Sequence, residues 1–155
     1  MFKHILLATD GSILSSEAVI QAMQLARSLN AKVTAMTVAL EYPQTFGSAG
    51  LMLSPSGSFK EQFEEHQSAR ANAIISEVKK AALKYGVQCF SAIVFDARPY
   101  EAIIRQAEQS RCDLIVMASH GLRGLDDVVL GSETQRVLTH TKIPVLVCRQ
   151  PSGAA

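Results

Sequence analysis

The chain has 155 residues, with 15 basic against 14 acidic side chains for a formal charge of +1, and 48% of it is hydrophobic against 19% charged. That length suits one domain with a full core, the near-neutral charge gives no broad field to draw nucleic acid or anionic lipid, and the apolar excess excludes a chain that cannot fold alone. The apolar start Ile5-Leu6-Leu7-Ala8 meets Asp10 well short of the roughly 20 residues that cross a bilayer, and short of a signal-peptide core. A cytoplasmic location without membrane contact is expected. Cys89, Cys112 and Cys148 lie far apart with no Cys-x-x-Cys pair, which suits a reducing compartment and small buried hydrophobes rather than a disulfide framework or a zinc site.

The first apolar run, Lys3 to Thr9, closes on the turn formers Asp10-Gly11-Ser12 and reads as a strand buried on both faces. From Ser15 to Leu29, Ala18, Ala22, Leu25, Ala26 and Leu29 stack on one helical stripe. After Asn30, a helix stop, the β-branched Lys32–Ala39 segment reads as the second strand. Residues 42–58 hold three glycines, two prolines and four serines without a charge, the pattern of a long inserted loop, either a functional cover or a mobile excursion. A long helix follows from Lys60 to Tyr85, with Ala71, Ile74, Ile75, Val78, Ala81, Ala82 and Tyr85 inward, Gly86 as its stop, and glutamates in its first turns, where the helix dipole favours them.

Val87 to Phe95 alternates with one weakly apolar face and reads as a strand near a sheet edge. Pro99 opens a helix that buries Ala102, Ile103 and Ala107 and runs to Ser110. Asp113 to Ala118 is a second doubly buried strand, followed by the glycine-bearing stretch Ser119 to Ser132, a helix through Leu138, and a last strand, Pro144 to Cys148. Right-handed crossovers turn this alternation into an α/β three-layer sandwich around a five-stranded parallel sheet. The expected strand order is 3-2-1-4-5, a Rossmann-like single domain over residues 1–149 with a short tail at 150–155.

Open parallel sheets bind ligands beyond the carboxyl ends of their strands, where strand order reverses. Two segments lie there, Thr9 to Ser12 and Ala118 to Ser132. Glycines at 121, 124 and 131 permit close ligand approach, and the amides of Gly131, Ser132 and Glu133 at a helix start suit phosphate oxygens. Neither G-x-x-x-x-G-K-[ST] nor G-x-G-x-x-G is present, which excludes a P-loop hydrolase and a standard dinucleotide dehydrogenase. By themselves the two segments are equally compatible with a tight turn at Asp10-Gly11-Ser12 plus a helix cap, and a plain turn with an N-cap at Ser132.

Ser119-His120-Gly121, nine residues from Leu122 to Leu130, then Gly131-Ser132, resembles the motif of the universal stress protein family. Ala8-Thr9-Asp10-Gly11-Ser12, Asp113-Leu114-Ile115-Val116-Met117 and Ile143-Pro144-Val145-Leu146-Val147 extend the resemblance over nearly the whole chain. Nucleotide-binding members carry G-x-x-G, nine residues, then G-[ST]; here Ala118 replaces the first glycine. An added methyl there is compatible with negative φ but would crowd a ligand lying against the Cα.

The resemblance implies binding of ATP, with magnesium, ADP or AMP as further options. Asp10 would lie beside the ribose or adenine, with Ala8, Val38 and Met117 near the base and Thr9 and Ala118 bordering the site. Gly121, Gly131, Ser132, Glu133 and Thr134 would surround the phosphates, with His120 and Arg123 as further contacts, Arg123 alternatively being a solvated or dimer-facing cation. Asp126 and Asp127 read as an exposed acidic turn or as help to a metal. The resemblance further implies a homodimer paired through Pro144 to Cys148, an apolar strand that is hazardous as a bare edge. No triad or activated cysteine can be assigned, so at most slow ATP hydrolysis is expected. The leading reading is a dimeric, nucleotide-dependent regulator of the stress response; the alternative is a family member without nucleotide, acting as a protein interaction module.

Overall fold

The computed structural model describes residues 1–42, 57–120 and 130–149, with the backbone alone at 57 and 58. Within them strands and helices alternate as β1 (His4–Ala8), α1 (Ile13–Leu29), β2 (Lys32–Ala39), α2 (Gly57–Tyr85), β3 (Cys89–Phe95), α3 (Pro99–Gln109), β4 (Leu114–Ala118), α4 (Ser132–His140) and β5 (Val145–Cys148). The strands form one parallel sheet in the order β3-β2-β1-β4-β5, as expected from the sequence. Strand ends differ from the sequence reading by a residue or two, the ordinary uncertainty of element boundaries.

The central strands β1 and β4 are buried at every residue, because helices cover both faces. Ile5, Leu7, Leu114 and Val116 meet α1 and α2 on one side through Ala22, Met23, Ile75 and Val78. Leu6, Ala8, Ile115 and Met117 meet α3 and α4 on the other through Ile103, Ala107 and Val137. Each fully buried aliphatic chain of this kind contributes about 1.5 to 3 kcal/mol. β3, on the sheet edge, is only half covered: Phe90 and Phe95 stay 47% and 40% exposed, and its polar alternation in sequence has that cause. His4 turns out to be a core histidine, with Nε2 2.8 Å from Thr34 Oγ1.

Helix ends follow local chemistry. Ser12 caps α1, its Oγ accepting from Ser15 N at 3.1 Å. Asn30 ends α1 in the left-handed region at φ 52°, which asparagine tolerates. Gly86, at φ 66°, closes α2, with Val87 N donating to Ala82 O at 2.9 Å in a Schellman arrangement. One expectation is corrected: α2 begins at Gly57, not Lys60, and its first turn carries no acid, so Glu61, Glu64 and Glu65 fall past the turn where the dipole acts. The expected loop at 42–58 has its residues 43–56, and the tail all of 150–155, outside the described residues.

Candidate functional site

The site is built where β1 and β4 end side by side, Ala8 in register with Met117. After Ala8 the chain turns away: Thr9 N still donates to Met36 O at 2.9 Å, Asp10 Oδ1 accepts from Ser12 N at 3.0 Å, and Gly11 adopts φ 76°. Asp10 and Ser12 thus do make the tight turn and cap that the sequence allowed, and half-buried Asp10 also borders the cavity described below. Thr9 is spent internally, its hydroxyl donating to Ser15 Oγ at 3.0 Å and accepting from Gly11 N at 3.3 Å.

Across the crevice, Ala118 is a strand residue paired with Cys148, its methyl within the core on the α1 side. It is not among the described residues with positive φ, so alanine carries no backbone strain here. Ser119 O accepts from Gly131 N at 2.8 Å. That bond corrects the expectation of a free Gly131 amide, and Gly131, not Ser132, is the N-cap of α4. The first intrahelical bond, Gln135 N to Gly131 O at 3.0 Å, leaves Ser132, Glu133 and Thr134 as the first-turn amides.

Thr134 is buried and its hydroxyl donates to Ala118 O at 3.1 Å, tying α4 to β4. The Glu133 carboxylate is occupied as well, accepting from Tyr100 N at 2.8 Å and from Arg136 Nη1 at 3.2 Å; it caps α3, where Pro99 supplies no donor. His120 places Nδ1 3.1 Å from Ser119 Oγ, while its buried Nε2 has no hydrogen-bond partner among the described residues. A buried ring nitrogen left without a partner costs free energy unless a polar group of a ligand meets it. Gly121, Arg123, Asp126 and Asp127 lie outside the described residues.

Val38 contributes through its main chain. Met36 O faces β1, accepting from Thr9 N, and Ala39 O faces β3, accepting from Asp96 N at 3.1 Å. Alternation along a parallel strand turns Val38 N–H and C=O toward the β1 side, beyond the point where β1 has ended. They present one donor and one acceptor with no backbone partner among the described residues, which fits the amino and ring-nitrogen edge of a base.

These groups line one cavity of about 770 Å³, which holds Ala8, Thr9, Asp10, Val38, Met117, Ala118, His120, Gly131, Ser132, Glu133 and Thr134 together. All the sequence-selected residues within the described part are therefore neighbours. The same cavity is walled by Gln67, Arg70, Ala71 and Ile74 of α2, which the sequence reading did not select; the signal lay in their spacing along one helix face. A second cavity of about 700 Å³ opens at the opposite end of the sheet, among Arg27, Asn30, Lys84 and Gly86. It faces helix C-termini, whose carbonyls disfavour an anion, although Lys3, Arg27, Lys32 and Lys84 line it; the residues singled out by sequence lie in the first.

The family model for universal stress proteins matches residues 1–149. The chain belongs to the universal stress protein family. Among its curated relatives, universal stress protein MJ0531 of Methanocaldococcus jannaschii is 32% identical over 151 residues, covering 97% of this chain and 84% of the relative. The solved structure of MJ0577 superposes with a TM-score of 0.82 at 25% identity over 99% of each chain; that protein is also a universal stress protein of M. jannaschii. A universal stress protein solved in complex with cAMP superposes at 0.68, again 25% identical, over 96% of this chain and 97% of the other. The five-stranded order and the alternating helices are those of the family. No helix among the described residues is long and apolar enough to cross a membrane.

Proposed function

We propose that this chain binds an adenine nucleotide, ATP in the first place with ADP or AMP as alternatives, at the carboxyl ends of β1 and β4. In this reading it acts as a cytoplasmic, dimeric regulator whose output follows nucleotide occupancy, with hydrolysis slow or absent. The observation that carries the proposal is the juxtaposition, in one cavity, of the main-chain edge of Val38, without a backbone partner among the described residues, with the first-turn amides of α4. The first suits a base and the second suits phosphates, with Asp10 between them as an acceptor for ribose hydroxyls. The orphan Nε2 of His120 supplies a further polar contact, and a relative of the same fold solved with cAMP supports an adenine ligand. Magnesium, where it accompanies the nucleotide, would be held in part by the phosphates themselves.

The hydroxyls of Thr9 and Ser15 are engaged in the turn and cap, which favours binding over turnover. Dimerisation is assigned to β5, an edge strand with Leu146 39% exposed whose outer side has no strand partner among the described residues, the kind of edge a second copy can extend. Residues 1–149 are assigned to one domain, with 42–58 as its insertion. Calorimetric titration of nucleotide-stripped protein with ATP, with and without magnesium, tests the reading: saturable binding near one site per chain is expected. No heat and no thermal shift at millimolar ATP would instead leave the interaction-module reading.

A further inference from the structure

The inference rests on the nucleotide reading and extends it to α2. One stripe of that helix is spent on strand ends. Phe63 packs edge-on against Tyr42 with ring centroids 5.5 Å apart, Gln67 Oε1 accepts from Leu40 N at 3.4 Å, Arg70 Nη2 donates to Asp10 O at 3.3 Å, and Ile74 closes over Gly11. Positions 63, 67, 70 and 74 follow the helical repeat, so α2 lies along the ends of β1 and β2 as one wall of the cavity.

Arg70 is the charged member of that stripe. Between Glu61 and Val78 the other charged residues are four glutamates, yet none stands three or four residues from position 70, where His66, Gln67, Ala73 and Ile74 lie. Several helix cations are paired, as in Lys60–Glu64, Lys80–Glu77 and Arg136–Glu133; Arg70, like Arg27, Lys79 and Lys84, belongs to none of the ion pairs among the described residues, and of those four it alone lines the cavity. Its bond to the Asp10 carbonyl is long for a charged donor and uses one of five guanidinium N–H groups. The cavity's other formally charged side chains among the described residues, Asp10 and Glu133, are both carboxylates. Glu133 is already paired with Arg136 and the α4 N-terminus supplies partial positive charge, so Arg70 is the full cation among the cavity's described residues that can add to that field for an anionic ligand.

We propose that Arg70 is a ligand-binding residue that grips a phosphate of the bound nucleotide, making the site select phosphorylated ligands over the bare nucleoside. A planar fork matches phosphate oxygens two at a time, which a lysine cannot do. The test is calorimetric titration of the wild type, Arg70→Gln and Arg70→Lys with adenosine, AMP and ATP, each variant first checked for an unchanged thermal midpoint. For R70Q, affinity for AMP and ATP is expected to fall about tenfold or more, the usual worth of a hydrogen bond to a charged group, with adenosine unchanged and R70K intermediate. Unchanged AMP and ATP affinity in R70Q would overturn the assignment, and so would an equal loss for adenosine, which would place Arg70 on the base or the fold. If the wild type binds none of the three, the nucleotide reading itself fails and takes Arg70 with it, an outcome distinct from a wild type that binds all three and ignores the substitution.

Discussion

Substituting Gly11 by alanine isolates how tightly α2 holds the loop that carries Asp10. Two separable costs arise. Gly11 sits at φ 76°, and a residue with a Cβ in that region loses about 1 to 2 kcal/mol. A Cβ built there would also lie 2.7 Å from Ile74 Cγ1 and 2.9 Å from its Cδ1, an overlap that must be relieved by movement. Overpacking of this sort costs about 1 to 3 kcal/mol, and Ile74 is half-buried and can swing, so the lower end applies. Gly11→Ala is therefore expected to cost about 2 to 3 kcal/mol in all, read as a lowered urea midpoint at constant slope. In an Ile74→Ala background the clash is gone, and the same substitution should cost only the backbone part, about 1 to 2 kcal/mol. A double-mutant cycle then gives a coupling of about 1 kcal/mol. Additivity within about 0.5 kcal/mol would refute the contact between Ile74 and the loop, and with it the account of α2 as a wall of the site.

Thr134→Val removes the buried bond to Ala118 O while keeping the side-chain shape. It should cost about 1 kcal/mol, seen as a drop of about 2 to 4 °C in thermal midpoint for a chain of this size. Nucleotide affinity should stay within about twofold, because only the Thr134 main chain faces the ligand; lost affinity at unchanged stability would return the hydroxyl to the phosphates. Cys112 is pushed up from 9.0 to about 11, chiefly by burial and secondarily by the neighbouring Asp113 carboxylate. The folded state keeps this proton while the unfolded chain releases it, so the contribution is complete below pH 9 and is lost as pH rises toward about 11. Denaturant midpoints measured from pH 8 to 11 should therefore fall less steeply for Cys112→Ala than for the wild type; parallel curves would contradict the shift.

The architecture was legible because its signals are local and redundant. Two apolar runs without alternation, at Ile5 to Ala8 and Leu114 to Ala118, can be satisfied only by strands covered on both faces, and they are the central strand β1 and its interior neighbour β4. The turn chemistry of Ser12, Asn30 and Gly86 marked helix ends within a few residues. The site was legible where it depends on strand ends, because a parallel sheet brings Ala8 and Ala118 to the same crevice whatever their distance in sequence. Side-chain commitments were not legible. That Glu133 caps α3 through Tyr100 N, and that Ser119 O takes the Gly131 amide, depends on contacts between elements that no single-sequence periodicity encodes. Gln67 and Arg70 were missed for a related reason: a polar residue on a long helix reads as solvated until the end of a strand is found beside it.

The main-chain edge of Val38 and the stripe of α2 have a common origin in unequal strand lengths. β1 ends at Ala8 while β2, eight residues long, runs on to Ala39. The overhang leaves β2 backbone groups on the β1 side with no strand to meet them, and unsatisfied main-chain groups must find partners or water. Leu40 N meets Gln67, whereas Val38 opens onto the cavity. The same early end of β1 lets the chain swing into the Asp10 turn, whose carbonyl receives Arg70. A longer β1 would fill the overhang, engage Val38 and displace α2 together, so the recognition surface is a consequence of where one strand stops. Substitutions that extend β1, replacing Asp10 and Gly11 by β-branched residues, should therefore weaken ligand binding in calorimetric titration well beyond Asp10→Ala, which removes the ribose contact alone, even though Val38, Arg70 and the first turn of α4 remain in the sequence; an equal loss in the two would refute the dependence on strand length.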